Sequence, residues 1–295
     1  MGKQSIFPAF NFINCMAHAS SEGSLLIGRD SAALFDCGMA FCAEETIKKA
    51  EAGLAGRPLD YLVLTHTHYD HIGALPYFRE RWPKARVVTS EAGSAVLLKD
   101  TPRRVIRELS AAAAQSFGYG PIADYSDDAF HADVIVKEGD ILELGGVSVC
   151  VIETPGHTRD SLSFFVPETE TLMLNETPGV LMPDGSIYPC YLTSYADTVN
   201  SIEKCRRVPY KFLSLPHRGV IGDEEADGFF ERALAANAAC RDFIVGMRER
   251  NLGEEEMLDL YFRKYSSGTL LRYQPKEAFI ANARATISRT LRDEM

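Results

Sequence analysis

No apolar run in this sequence reaches the roughly eighteen residues that a membrane-spanning helix needs, so no span is expected. The first residues, Met1-Gly2-Lys3-Gln4-Ser5, carry no long apolar segment ending in a small-residue cleavage site, and no signal peptide is read there. Basic residues are in deficit: 31 Lys and Arg stand against 41 Asp and Glu, a net charge of −10. That balance argues against nucleic-acid binding, which Lys and Arg drive. It leaves room for a small anionic substrate, because a bound metal pair supplies local positive charge. The seven cysteines are odd in number, scattered and without a CxxC. They read as reduced thiols in the cytoplasm rather than as a disulfide framework. There is no glycine-rich phosphate loop and no dinucleotide fingerprint, so no nucleotide cofactor is expected.

What is present fits a large α/β fold. The 295 residues are 46% hydrophobic and 24% charged, enough to bury a sizeable core. Strands are expected at 24–28 and 32–36, followed by a helix over 44–54. A short apolar strand over 59–65 leads into a histidine-rich stretch. Further elements are a helix over 72–81, a strand over 85–90 and a helix opening at Ser90-Glu91. Pro102 starts a helix that runs to Phe117 and reads as an insertion, about 91–120, between core strands. Strands then follow over 134–136, 141–144, 147–152, 162–166 and 172–174. A helix over 194–206 and a strand over 212–215 complete the core. From 223 the chain turns helical, with Phe229, Ala233, Ala236, Cys240, Phe243 and Met247 on one helical face. Two more helices are expected over 254–265 and 274–292. The resulting division is a core over 1–222 and a helical C-terminal cap over 223–295.

The sharpest signal is Thr65-His66-Thr67-His68-Tyr69-Asp70-His71. Three of the chain's seven histidines crowd here with one aspartate, directly after an apolar strand. In extended backbone His66 and His68 point the same way. Imidazole and carboxylate are suitable ligands for Zn, Fe or Mn. One loop cannot complete two coordination spheres, and two other strand ends offer histidines: Thr154-Pro155-Gly156-His157 and Leu215-Pro216-His217. His18 and His131 fit no ligand motif.

With these residues the sequence resembles the metallo-β-lactamase superfamily. His66, His68, Asp70 and His71 match its His-x-His-x-Asp-His signature, and His157 and His217 match its downstream histidines. The resemblance covers about residues 5 to 222. It implies an αββα sandwich holding two divalent metal ions, Zn or Fe/Mn. One would be held by His66, His68 and His157, the other by Asp70, His71 and His217. One position departs from the pattern. The family usually bridges its metals with Asp, whereas the matching strand here is followed by Asn175-Glu176-Thr177, which makes Glu176 the bridge candidate. The expected chemistry is hydrolysis by a metal-bridging hydroxide, formed as bound water drops to a pKa near about 7. Asp70 would orient the nucleophile and relay a proton.

The helical insertion and tail resemble the group around the quinolone-signal response protein, in which helices cover the metal site. That likeness implies hydrolysis of an ester or thioester, and iron as an alternative to zinc. Lactones fit the same chemistry. Competing readings are phosphodiester hydrolysis, di-iron redox chemistry, and a signalling protein that keeps a metal core and works through protein contacts. The tail could equally serve a homodimer. The loop over 178–195 holds three tyrosines. Of these Tyr191 and Tyr195, with Arg218 beside His217, are the candidate contacts to a small-molecule substrate.

Overall fold

The computed structural model describes residues 11–266, 270 and 274–293. The stretch Met1 to Ser5 and the last two residues of the cap lie outside it.

The first half contains β1 (Asn11–Asn14), β2 (Ser24–Ile27), β3 (Ala32–Phe35), α1 (Ala43–Leu54), β4 (Tyr61–Val63), α2 (Tyr69–Ile72), α3 (Leu75–Arg81), β5 (Arg86–Ser90), α4 (Glu91–Leu97), α5 (Asp100–Ser116) and β6 (Val134–Val136). The second contains β7 (Ile141–Glu143), β8 (Ser148–Glu153), β9 (Leu162–Val166), β10 (Thr171–Met173), β11 (Val180–Leu181), β12 (Ile187–Tyr188), α6 (Tyr195–Arg206), β13 (Phe212–Leu215), β14 (Gly219–Gly222), α7 (Asp223–Ala226), α8 (Phe229–Glu249), α9 (Glu254–Tyr265) and α10 (Lys276–Asp293).

Two six-stranded sheets result, ordered β1-β2-β3-β4-β5-β6 and β14-β13-β10-β9-β8-β7. Alternation along the strands decides what faces what. In the first sheet Leu26, Ala33, Phe35, Val63 and Val88 point inward and meet Val149, Val151, Leu162, Phe164 and Met173 of the second. Their neighbours Leu25, Leu34, Leu62 and Val87 point outward into a layer with Ala50, Leu54, Phe78 and Ile106 of α1, α3 and α5. The second sheet is covered by Ile202 and Cys205 of α6 and by Phe229, Phe230 and Ala233 of α8. The fold is therefore an αββα sandwich.

The C-terminal helices are not a detached unit. The start of α8 lies in the outer core of the second sheet, while its later turns, Cys240, Ile244 and Met247, join α9, α10 and the small β11–β12 hairpin in a fourth buried cluster. Tyr188 and Met182 of the hairpin region contribute to that cluster, so the cap helices hold the hairpin in place. No described helix is long and apolar enough to cross a membrane. All seven cysteines are free, six of them buried.

Most expected elements occur within a residue or two of their expected bounds. The strands β1 and β14 and the hairpin are additions. β14 reads Gly-Val-Ile-Gly, and the hairpin strands have two residues each, so local sequence offered little pattern to read. The helix expected over 72–81 starts earlier, at Tyr69, and breaks at Gly73-Ala74 into α2 and α3.

Candidate metal centre

Strand ends assemble the centre. β3, β4, β8, β10 and β13 deliver Asp36, His66 and His68, His157, Glu176 and His217 just beyond their last residues, and α2 adds Asp70 and His71. Crevices beyond the carboxyl ends of strands are where open α/β sheets place their sites. Local backbone is bent to do this. His217 has φ 59° and Asp36 φ 55°. For residues other than glycine such left-handed conformations cost about 1–3 kcal/mol and cluster at functional sites. At the Pro155-Gly156-His157 turn a Cβ on Gly156 would lie 2.1 Å from Thr198 Oγ1, so only glycine lets this turn seat against α6.

The ligand atoms converge in two sets, each lying within 4.8 Å of one another: His66, His68, His157 and Glu176, and Asp70, His71, Glu176 and His217. In the first set His68 Nδ1 is 3.1 Å from His66 Nε2 and 2.9 Å from His157 Nε2. Glu176 Oε2 is 2.8 Å from His157 Nε2 and 3.7 Å from His66 Nε2. A tetrahedral zinc with imidazole ligands separates them by about 3.3 Å, so these distances bracket one ion. In the second set His217 Nε2 is 2.9 Å from Glu176 Oε1 and 3.7 Å from Asp70 Oδ2. His71 Nε2 is 3.8 Å from Asp70 Oδ2. It is buried without a hydrogen-bond partner, which is costly for a polar atom unless something else meets it. The two oxygens of Glu176 thus face different sets. The donor set fits two divalent ions.

Other groups orient the ligands. Asp36, missed by the sequence reading, is buried and accepts from His71 Nδ1–H at 2.7 Å, from Thr65 N–H at 2.8 Å and from the Thr65 hydroxyl at 2.7 Å. With its proton on Asp36, the Thr65 hydroxyl accepts from His66 Nδ1–H at 3.1 Å. One carboxylate therefore fixes two imidazoles with Nε2 free for a ligand role. His157 Nδ1–H donates to the Cys190 carbonyl at 2.7 Å, with the same result. Glu22 is a second missed residue: its carboxylate accepts from the His217 N–H at 2.5 Å. A carboxylate closing an all-apolar strand, as Asp36 does after Ala32–Phe35, was the available signal for the first. Glu22 precedes its strand and offered none.

The electrostatics follow from burial and neighbours. Burial lowers the pKa of His66 and takes that of His68 down to about 3, the neighbouring histidines adding to both. His157 is raised: burial opposes the charge, but the Glu176 carboxylate outweighs it. His217 is raised against burial by the same carboxylate. His71 reaches about 10, because Asp36 and then Asp70 overcome burial. Burial raises Asp70, and it pushes Glu22 up to about 7. Glu176 is held low despite burial, chiefly by His157. Without metal the centre is an ion cluster, and metal uptake must displace its protons.

The second set opens on a small cavity of ≈ 70 Å³. One wall is Asp70, Glu176 and His217. The opposite wall is apolar, with Val180, Leu181, Met182 and Pro183 from the hairpin and Leu270 from the cap. Tyr69, Tyr188 and Arg218 also line it. Arg218 is exposed and pairs with Glu225 at 2.5 Å. Two of the expected substrate contacts lie elsewhere. Tyr191 is fully buried among the cap helices, and its hydroxyl bonds the Thr290 hydroxyl at 3.0 Å. Tyr195 begins α6, meets the Tyr191 ring edge-to-face and lies under Arg241. The tyrosine of the loop that does reach the cavity is Tyr188.

An αββα sandwich with histidine and carboxylate side chains gathered at its strand ends defines a scaffold suited to binding metal ions. The comparison with known families is direct: the family model of the metallo-beta-lactamase superfamily matches residues 23–217, and the chain belongs to that superfamily. It is 26% identical over 210 residues to the metallo-beta-lactamase fold-containing protein ST1585 of Sulfurisphaera tokodaii, spanning 66% of this chain and 77% of that one. It is 26% identical over 153 residues to a hydroxyacylglutathione hydrolase of Prochlorococcus marinus, spanning 52% of this chain and 48% of the relative. Four further curated relatives are spanned over 32% to 52% of their length. Among solved structures, the metallo-beta-lactamase family protein TTHA1429 of Thermus thermophilus superposes with a TM-score of 0.61 at 18% identity, over 98% of this chain and 95% of that one, a likeness of fold.

Proposed function

We propose that the protein is a dinuclear metal-dependent hydrolase of an ester, thioester or lactone. The observation that carries this reading is the pair of ligand sets sharing Glu176, one of which opens on a cavity with a polar wall and an apolar wall. Two divalent ions held there would supply Lewis acidity toward a carbonyl oxygen and lower the pKa of water toward about 7. The chain's own residues do the rest. His66, His68 and His157 would hold one ion and Asp70, His71 and His217 the other, with Glu176 belonging to both sets. Asp70, on the cavity wall, orients the attacking water and takes its proton. Asp36, Thr65 and the Cys190 carbonyl keep the imidazoles in the tautomer that leaves a nitrogen free. The hairpin wall takes the acyl side of the substrate and excludes water. A hydroxyacylglutathione hydrolase relative supports the hydrolytic reading, and a nitric oxide reductase relative, 33% identical over 161 residues, keeps the redox reading as its rival.

The test is elemental analysis of protein purified without added metal or chelator, followed by a panel of ester, thioester, lactone and phosphodiester substrates. About two ions per chain and turnover of an acyl substrate are expected. Folded protein that cannot be loaded beyond one ion would end the dinuclear reading. Two irons with oxygen consumption and no hydrolysis would replace it with redox chemistry. A fully loaded protein inert toward the whole panel would favour a role through protein contacts.

A further inference from the structure

Beside the metal cavity lies a second, open groove of ≈ 390 Å³, lined by Asn14, Met16, Ala17, His18, Ala19, Lys49 and Arg218. Arg218 lines both spaces, so the groove begins at the rim of the metal cavity. Its polar atoms share one character. Asn14 Oδ1 is already used, accepting from Met16 N–H at 2.8 Å, which leaves the amide NH₂ to donate. His18 Nδ1 accepts from Ser20 N–H at 3.2 Å, which leaves Nε2 to carry the ring proton. The Lys49 ammonium spends one proton on the Met16 carbonyl at 2.6 Å and keeps two. Arg218 meets Glu225 through one nitrogen and has further N–H groups to offer. No carboxylate is among the lining residues. In a chain of net charge −10, four donor side chains stand together here, and the acceptor atoms of Asn14 and His18 are already occupied.

We infer that this groove is an anion subsite that receives a phosphate or carboxylate carried by the leaving group of the substrate. The inference rests on the hydrolytic reading for the word substrate, and on the groove alone for the anion. The small cavity cannot enclose a large molecule, so the part of the substrate beyond the reacting carbonyl must leave past the rim. At that rim Arg218 leads into the donor-lined groove. The acyl portion meets the apolar hairpin on one side, and the charged leaving portion meets Arg218, Lys49, His18 and Asn14 on the other. Charge-assisted hydrogen bonds of this kind are short, strong and selective for anionic oxygens.

The binding arm of the test does not depend on turnover. Isotope-labelled, metal-loaded protein is titrated with inorganic phosphate and, separately, with acetate, while the His18 ring and Lys49 side-chain signals are followed by NMR. A saturable shift at both residues is expected, weakened about tenfold by Lys49→Gln, as loss of one charged hydrogen bond implies. Response to phosphate over acetate identifies a phosphorylated leaving group; the reverse identifies a carboxylate. Shifts confined to the metal ligands, or none, would overturn the subsite. In the kinetic arm two thioesters share one acyl group, one with a phosphorylated and one with an uncharged leaving thiol. The charged one is expected to have a KM about tenfold lower, a preference that Lys49→Gln removes. Equal KM values with no groove response would sink the subsite and leave hydrolysis standing. Groove shifts without any hydrolysis would keep the subsite and sink the hydrolytic reading.

Discussion

The two halves of the metal centre are built differently. In the half formed by His66, His68 and His157, both His66 and His157 have side chains with no exposure. Ligand atoms there approach to 2.8–3.1 Å, apart from His66 Nε2 and Glu176 Oε2 at 3.7 Å, and both buried rings have Nδ1 tied down by a hydrogen bond. In the half formed by Asp70, His71 and His217, Asp70 keeps 18% exposure and His217 10%, and most separations are 3.7–4.0 Å. His217 sits in a strained turn, and its Nδ1 is buried with no hydrogen-bond partner, 3.9 Å from Glu22. The closed half is arranged to retain an ion; the open half faces the cavity where substrate would bind. On the proposed function, retention and reactivity would be divided between halves that meet at Glu176.

Glu176→Ala is the harshest way to break the comparison, because it removes the group common to both halves. Loss of kcat should exceed the ~10–100-fold that loss of an outer partner costs, with metal content falling below two per chain. His217→Ala should instead keep one tightly held ion while losing turnover, and His157→Ala should loosen the ion that His217→Ala retains. Competition with a graded chelator reads this directly: in the intact protein one ion should leave at least about tenfold more readily than the other. Simultaneous release of both would show that the halves do not differ.

Asp36→Ala sharpens the comparison from outside the ligand set. It leaves His71 Nδ1 and both donors of Thr65 without an acceptor in a buried site. A loss of about 3–5 kcal/mol in stability is expected, as for breaking a buried pair, with metal affinity of the open half down about 10–100-fold. Denaturant melts and metal titration measure the two separately. An unchanged melt would mean that Asp36 is not the anchor of this network.

Protons give a smaller effect of definite sign. His71 is raised from the usual histidine value to about 10 in the metal-free centre, because Asp36 and Asp70 outweigh burial. Its folded pKa lies above its unfolded one. Its contribution to the stability of the metal-free protein is therefore full below the ordinary histidine range, and is lost as pH rises through about 10. Metal competes with that proton, so metal affinity should rise with pH over the same window, and uptake near neutrality should release protons. Calorimetry in buffers of different ionisation enthalpy counts them. Uptake with no proton release would show that His71, His157 and His217 are already neutral.

The legible part of this molecule was the part governed by short-range pattern. Apolar alternation marked the strands of both sheets, and His66 to His71 announced themselves by crowding three histidines and an aspartate into one loop. His157 and His217 stood on Pro-Gly and Pro-His turns at strand ends. What was not legible depended on chain folding back over long distances. Glu22 reaches a residue 195 positions away, and Asp36 gains its meaning from a loop 29 to 35 positions on. The hairpin β11–β12 is fixed by the cap rather than by its own sequence, so which of its tyrosines faces the cavity could not be read locally.

That last point has a mild test. Tyr191, once a natural candidate for an oxyanion donor, places its hydroxyl against Thr290 inside the cap. Tyr191→Phe removes the buried hydrogen bond to Thr290 and the weaker one to the Cys240 thiol, and nothing that touches the cavity. A cost of about 1 kcal/mol is expected, a fall of roughly 2–4 °C in Tm for a chain of this size. The value of kcat/KM should stay within about twofold, since the hairpin wall and the metal ligands are undisturbed. A drop of tenfold or more in kcat with the melt unchanged would mean that the ring swings out of the cap during turnover. The cap would then belong to the chemistry, and the division between a structural cap and a reactive centre would have to be redrawn around Tyr191.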